Sequence, residues 1–171
     1  TATLNEKNEA LAAFKSELIN RKDEILAANQ EDMAAANIMV DQGKLSSSLF
    51  ARLDLSGAKY ESLLKGLDDI IAMPDPIGKV SLSTELSEGL QLHRVSCPIG
   101  VLCIIFEARP EAAVQIAALA LKSGNALLLK GGKEATKSNT ALGEAMRAAL
   151  KSMSEKGVKS MNENAIQNVA V

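Results

Sequence analysis

The sequence predicts an α/β fold, part of a doubly wound parallel sheet, preceded by helices and a β-hairpin. Three observations predict it. Val101–Phe106 and Ala126–Leu129 are continuously apolar rather than alternating, the pattern of strands covered on both faces of a parallel sheet. Each run leads into a segment with helical apolar spacing. The intervening crossovers are short, which favours parallel neighbours joined by right-handed connections. A chain of 171 residues, 47% hydrophobic and 23% charged, is long enough for one domain with a real core.

The first forty residues read as helical. Leu4, Leu11, Leu18 and Ile25 recur on one face with Phe14, and Lys7, Glu9, Lys15 and Glu17 take the polar side. A break near Asn20 divides them, because Asp23 and Glu24 suit a new first turn; the second helix is expected to end near Asn37. Asp41–Ser48 reads as a loop by its glycine and serines. A further helix is expected from Gly57 to Met73, with Tyr60, Leu63, Leu64, Leu67, Ile70 and Ile71 on its apolar side and Pro74 and Pro76 ending it. Lys79–Leu82 and Leu90–Val95 form a candidate hairpin with Ser83–Gly89 as a long link. After the first apolar strand, Pro110 opens a helix with Glu111 near the positive end of its dipole, and Gly124 caps it. The second strand gives way to a helix over Ala135–Ser152, and Ala165–Val171 is expected to begin another strand.

Composition sets aside several functions. A net charge of −2 and a single Tyr, three Phe and no Trp give no basic surface or stacking platform for nucleic acid. The longest apolar run, Val101–Phe106, is too short to span a bilayer, and the start of the chain carries no signal-peptide pattern. Cys97 and Cys103 fit neither a redox nor a zinc spacing, and with one His they cannot make an ordinary zinc site. They point to a reducing compartment, the cytoplasm. Each is expected to be a structural, buried thiol rather than a nucleophile. His93, in a strand without an acidic partner nearby in sequence, reads as a surface or interface residue.

Ligands of open α/β sheets collect at the carboxyl ends of the strands. Two segments are expected there: Glu107-Ala108-Arg109-Pro110 and Lys130-Gly131-Gly132-Lys133-Glu134. Two glycines let a ligand approach the backbone, and two lysines supply cations for phosphate or ribose oxygens. A tight turn with solvated lysines fits the residues equally well. Neither GxGxxG nor GxxxxGK[ST] can be drawn, since Leu127 stands where the latter needs its first glycine, so a P-loop kinase and an ordinary Rossmann dehydrogenase are disfavoured.

The stretch from Val95 to Asn139 resembles the gamma-glutamyl phosphate reductases. The matching segments are Pro98-Ile99-Gly100-Val101, F-E-x-R-P at Phe106–Pro110, L-x-x-x-S-G-N-A from Leu119 and K-G-G-K-E-x-x-x-S-N from Lys130. Upstream, Leu49–Leu53, Asp75–Val80 and Gly89-Leu90 agree in order, so the likeness runs over about residues 1–158. It implies an aldehyde-dehydrogenase-like fold: a helical segment at 1–75, an oligomerisation hairpin at 76–97 and a partial Rossmann-like βαβα nucleotide-binding core at 98–171. It implies NADPH-dependent reduction of L-glutamyl 5-phosphate to L-glutamate 5-semialdehyde and phosphate, for proline biosynthesis, through a thioester on a cysteine. Lys130 is then placed on the adenosine ribose, Gly131, Gly132 and Glu134 along the same edge of the cofactor, and Lys133 on the 2′-phosphate. Glu107 and Arg109 are placed near the substrate, Arg109 to hold its phosphate or carboxylate. Ser138 and Asn139 are assigned to capping the helix. Neither Cys97 nor Cys103 aligns with the family's catalytic cysteine, so the catalytic domain is expected to be absent and the chain alone inactive. A homo-oligomer and a glutamate 5-kinase domain or subunit are the implied partners. A reductase module of a bifunctional pyrroline-5-carboxylate synthase and a non-catalytic assembly fragment are the alternative readings.

Overall fold

The computed structural model describes residues 2–158 and 162–169. Helix α1 (Leu4–Asn20) starts at a reciprocal cap: the Thr3 hydroxyl accepts from the Glu6 amide, and the Glu6 carboxylate accepts from the Thr3 amide at 2.6 Å. The chain breaks at Arg21 and continues as α2 (Lys22–Asp41), which runs past the expected end near Asn37. The expected loop is present over residues 42–46, and helix α3 (Ser47–Leu53) takes over its last two residues. Its serine run reads as irregular, yet Ser46 is an N-cap whose hydroxyl accepts from the Leu49 amide at 3.2 Å. Helix α4 (Ala58–Ala72) follows, as the spacing predicts, and ends before Pro74.

Strands β1 (Val80–Ser87) and β2 (Leu90–Val95) form an antiparallel arm. Here β1 is longer than expected, and only Glu88 and Gly89 (φ +77°) separate the strands. The supposed link keeps a strand's period of two: alternation puts Leu82, Thr84, Leu90 and Leu92 on one face and Ser83, Glu85, Gln91 and His93 on the other. Every residue of both strands is exposed, His93 included.

Strand β3 (Val101–Ile105), helix α5 (Pro110–Lys122), strand β4 (Ala126–Lys130), helix α6 (Thr136–Glu155) and strand β5 (Ile166–Asn168) complete the described chain. The sheet is parallel in the order β3-β4-β5, with Ile105 opposite Lys130 and Leu129 opposite Asn168. The expected final strand is real over these three residues; its continuation to Val171 lies outside the described residues.

One core unites these elements. Helices α5 and α6 lie on one face of the sheet, and α1, α2 and α4 pack over them. Phe14, Leu18, Tyr60, Leu63 and Leu67 meet Val114, Leu142, Met146, Leu127 and Leu129 in this core. Each such side chain contributes about 1.5–3 kcal/mol by leaving water. The other face of the sheet is bare. Val101 and Ile105 of β3 are 67% and 70% exposed, and Cys103 and Leu128 are exposed beside them. Continuous apolarity therefore marks a strand built for two covers of which one is present. The expectation of a buried Cys103 is corrected by the same fact, and Cys97, at the foot of the arm, is exposed as well.

Candidate functional site

The carboxyl ends of β3 and β4 stand side by side because the strands are parallel and in register. The loops that leave them, at Phe106–Arg109 and Gly131–Ala135, are therefore neighbours. One hydrogen bond ties them: the Ala108 amide donates to Glu134 Oε1 at 2.6 Å. Ala108 has φ +48°, a left-handed conformation that costs an alanine about 1–2 kcal/mol, and the Glu134 contact helps hold it. Ala108 is itself buried with Ala36, Leu53 and Ala135, while Glu107 and Arg109 on either side are exposed at the rim.

The two glycines of the second loop leave room for neighbouring side chains. A Cβ on Gly131 would meet Asn139 Nδ2 at 2.1 Å, and one on Gly132 would meet Glu134 Oε1 at 2.1 Å. Neither glycine has a positive φ, so the reason is space and not backbone freedom. They let two polar side chains, Asn139 and Glu134, lie against the main chain.

Beside this loop lies a pocket of about 330 Å³, lined by Phe106, Leu129, Gly131 and Gly132, by Thr136, Asn139 and Thr140 of α6, and by Asn168 and Val169. Of the residues placed on cofactor by the sequence, Gly131 and Gly132 reach it. Lys130 and Lys133 flank the loop, half-buried and exposed respectively, and do not line the pocket. Glu134 turns away to the first loop.

The start of α6 is held from a distance. Asp32 of α2, nearly buried, accepts from the Ser138 amide at 2.7 Å, the Ser138 hydroxyl at 2.7 Å and the Lys137 amide at 3.2 Å. This corrects the assignment of Ser138 and Asn139 as caps: the cap is Asp32, and Ser138 is what it holds. Asn29, one turn earlier, donates to Ser138 Oγ at 3.1 Å and to the Leu53 carbonyl at 2.8 Å, and accepts from the Leu55 amide at 2.9 Å. Sequence reasoning passes over both residues. The signal is present, since Asn29 and Asp32 stand between Ile25 and Ala36 on the buried stripe of an otherwise Ala-rich helix.

The residues present suit a dinucleotide. Two glycines clear the strand ends, two lysines flank them, and the Oδ1 of Asn139 is buried without a hydrogen-bond partner among the described residues. Two amide donors in the first turn of α6, those of Lys137 and Ser138, are taken by Asp32.

No family model matches the chain. Individual relatives do. A gamma-glutamyl phosphate reductase from Synechocystis is 51% identical over 145 residues, which are 85% of this chain and 33% of that protein. One from Acetivibrio thermocellus is 48% identical over 143 residues, 84% of this chain and 32% of its own length. The chain thus spans about a third of the length of these relatives. Among solved structures, the gamma-glutamyl phosphate reductase of Saccharomyces cerevisiae superposes with a TM-score of 0.89 at 36% identity, covering 99% of this chain and 42% of that one. The Thermotoga maritima enzyme gives 0.86 at 36% identity, over 99% and 38%. A Bacillus subtilis structure assigned to the aldehyde dehydrogenases matches at 0.63 with 16% identity, over 87% and 30%, which carries the fold alone. With both sequence and fold in agreement along nearly its whole length, this chain belongs to the gamma-glutamyl phosphate reductase family and has an aldehyde-dehydrogenase-like fold.

Proposed function

We propose that the chain supplies cofactor-binding structure to a cytoplasmic, NADPH-dependent reductase that converts L-glutamyl 5-phosphate to L-glutamate 5-semialdehyde and phosphate. The observation that carries this is the Glu134–Ala108 hydrogen bond. It ties the loop after β3, which carries Glu107 and Arg109, to the loop after β4, which carries Lys133 and Glu134. Lys130 and Lys133 hold the ribose and 2′-phosphate end, and Gly131 and Gly132 let the cofactor approach. When bound, NADPH supplies the hydride. Arg109 holds the phosphate or carboxylate of the substrate as a bidentate donor, with Glu107 beside it. Neither Cys103 nor Cys97 is the nucleophile: Cys103 lies on the bare face of β3, below the strand ends, and Cys97 lies at the foot of the arm. The chain alone is therefore expected to bind without turnover, the nucleophile being supplied elsewhere in the working enzyme.

The arm is the assembly element. One face carries Leu82, Leu90 and Leu92, each more than half exposed, together with Thr84 and Arg94, and a second copy of the protein covers it in a homo-oligomer. The substrate is an acyl phosphate, so an ATP-dependent glutamate 5-kinase, separate or fused, must precede the reaction.

The test is steady-state kinetics on the full-length reductase carrying this chain. Lys130→Ala/Lys133→Ala should raise KM for NADPH at least roughly tenfold, the loss of one or two charge-assisted contacts, with little change for the acyl phosphate. Arg109→Ala should do the reverse. Unchanged kinetics in both variants would remove these residues from the site.

A further inference from the structure

We infer that the pocket between the opening turns of α4 and α5 takes the amino-acid end of the substrate. Glu111 pairs with its α-ammonium and Lys59 with its α-carboxylate, which leaves its phosphate to Arg109. The inference rests on the proposed reduction of an acyl phosphate and goes further by assigning the residues that select an amino acid. Place, charge and size carry it.

Place follows from the order of the chain. Pro110 opens α5 directly after Arg109, and Glu111 stands in the same first turn, beside the loop that leaves the carboxyl end of β3. A pocket of about 290 Å³ lies there, between Glu111 and Gln115 of α5 and Ala58, Lys59, Ser62 and Leu63 of α4. It shares no lining residue with the pocket beside Gly131 and Gly132.

Charge is the most specific feature. The lining holds one acid, one base and two neutral hydrogen-bonding side chains, Ser62 and Gln115. Glu111 is half-buried, forms no ion pair among the described residues, and has one carboxylate oxygen buried without a hydrogen-bond partner. A carboxylate drawn partly out of water with no cation beside it gains from one that arrives with a ligand. Lys59 is half-buried as well. Its ammonium donates to the Ala51 carbonyl at 2.9 Å and to the Arg52 carbonyl at 3.4 Å, which steadies it against the end of α3. An ammonium carries three N–H groups, so one remains for a ligand. Glu111 and Lys59 line one pocket without pairing to each other, which suits a zwitterion placed between them. A phosphate would meet the Glu111 charge, and a plain aldehyde would leave both charges unmatched.

Size agrees. About 290 Å³ is at the small end of ligand pockets, room for the head of an amino acid rather than a dinucleotide. Ala58 and Leu63 give an apolar wall to its methylene groups.

The experiment runs the full-length reductase in reverse, with aldehyde, phosphate and NADP⁺ giving acyl phosphate, NADPH and a proton. Glutamate 5-semialdehyde is compared with 5-oxopentanoate, which lacks the ammonium, and with 4-aminobutanal, which lacks the carboxylate. Wild type should favour the first over either analogue in kcat/KM by roughly tenfold or more, the scale of one charge-assisted contact. Glu111→Gln should bring the preference over 5-oxopentanoate to within about twofold of unity, the loss falling on KM for glutamate 5-semialdehyde. Lys59→Met should do the same for the preference over 4-aminobutanal. A merely structural role would lower all three aldehydes together, and that result overturns the inference. So does a wild type that uses the three equally, or an unchanged preference in either variant, and the reductase reading survives each of these. A wild type that turns over none of the aldehydes overturns the reductase reading and this inference with it.

Discussion

Glu134 and Asp32 show how single side chains fix the geometry of the strand ends. Glu134 holds a left-handed alanine in one loop from its place in the other. Glu134→Ala is expected to destabilise the fold by about 1–3 kcal/mol, the range for an orphaned buried amide, and to weaken cofactor binding through loop motion. Chemical denaturation together with cofactor titration would check it, and an unchanged midpoint would sink the tie between loops. Asp32→Ala strands two amides and a hydroxyl at the start of α6 and should cost about 2–3 kcal/mol. The Asp32→Asn variant should recover part of that loss, since an amide oxygen still accepts. Tyr60 offers a cleaner probe because it is the chain's single tyrosine. Its hydroxyl donates to the Leu18 carbonyl at 2.6 Å, and burial first, then the Glu61 charge, pushes its pKa up to about 12 from 10.0. Because the folded value is raised, its contribution to stability is present below pH 10 and lost as pH climbs toward 12. Tyrosinate absorbance in folded protein should titrate near 12, and a midpoint near 10 would contradict the buried placement.

At the scale of elements, the joint between body and arm is the informative one. Lys7 of α1 has a side chain 1% exposed, and its ammonium donates to both oxygens of Asp75 at 2.9 Å. Asp75 Oδ1 also accepts from the Ile77 amide at 3.0 Å, and Ser96 closes the joint by donating to the Pro76 carbonyl at 2.6 Å. Lys122 of α5, buried nearby, donates to Asn8 Oδ1 at 2.7 Å and to the Ile71 carbonyl at 3.0 Å. The Ile77 amide, then Lys7, holds the Asp75 carboxyl below its ordinary range. The depressed value places its stabilisation at and above the ordinary carboxylate range, about pH 4, and removes it as pH falls through the lowered pKa. Asp75→Asn leaves Lys7 without its countercharge and should cost up to about 3 kcal/mol, less than a fully buried pair because Asp75 keeps some solvent contact. Replacing both partners with apolar residues should restore much of that stability, which a denaturation series on the three variants would measure. Equal stability of Asp75→Asn and wild type would show that the pair does not hold the joint.

For the whole molecule, the bare face of the sheet and the arm expose large apolar side chains, among them Val101, Ile105, Leu82 and Leu92. The chain spans about a third of the length of its relatives. Much of the architecture is legible because it follows from local rules. The heptad of leucines, Pro110 at a helix start and Gly124 at a helix end specify α1, α2 and α5, and the two apolar runs specify a parallel pair. Three local readings fail for identifiable reasons. Serines that cap read as loop, an alternating strand with polar residues reads as link, and a doubly apolar strand implies two covers where one is present. For the site, the two loops with Gly131, Gly132, Glu107 and Arg109 stand at the strand ends, where the sequence puts them. The pairing of Glu134 with Ala108, the cap from Asp32, and the pocket around Asn139 are not legible.

The class of fold, the boundaries of most helices and the pair of loops that meet at the ends of the parallel strands follow from residue order alone. Those properties depend on apolar period and on the backbone preferences of Pro and Gly, which act over a few residues. Which side chains face one another across the folded chain is set by how the helices and sheet pack. Asp32 and Ser138 are 106 positions apart, and their hydrogen bonds exist because two helices pack. A contact of that kind leaves no spacing to read: it is created when burial strips water from both groups and makes each the other's remaining partner.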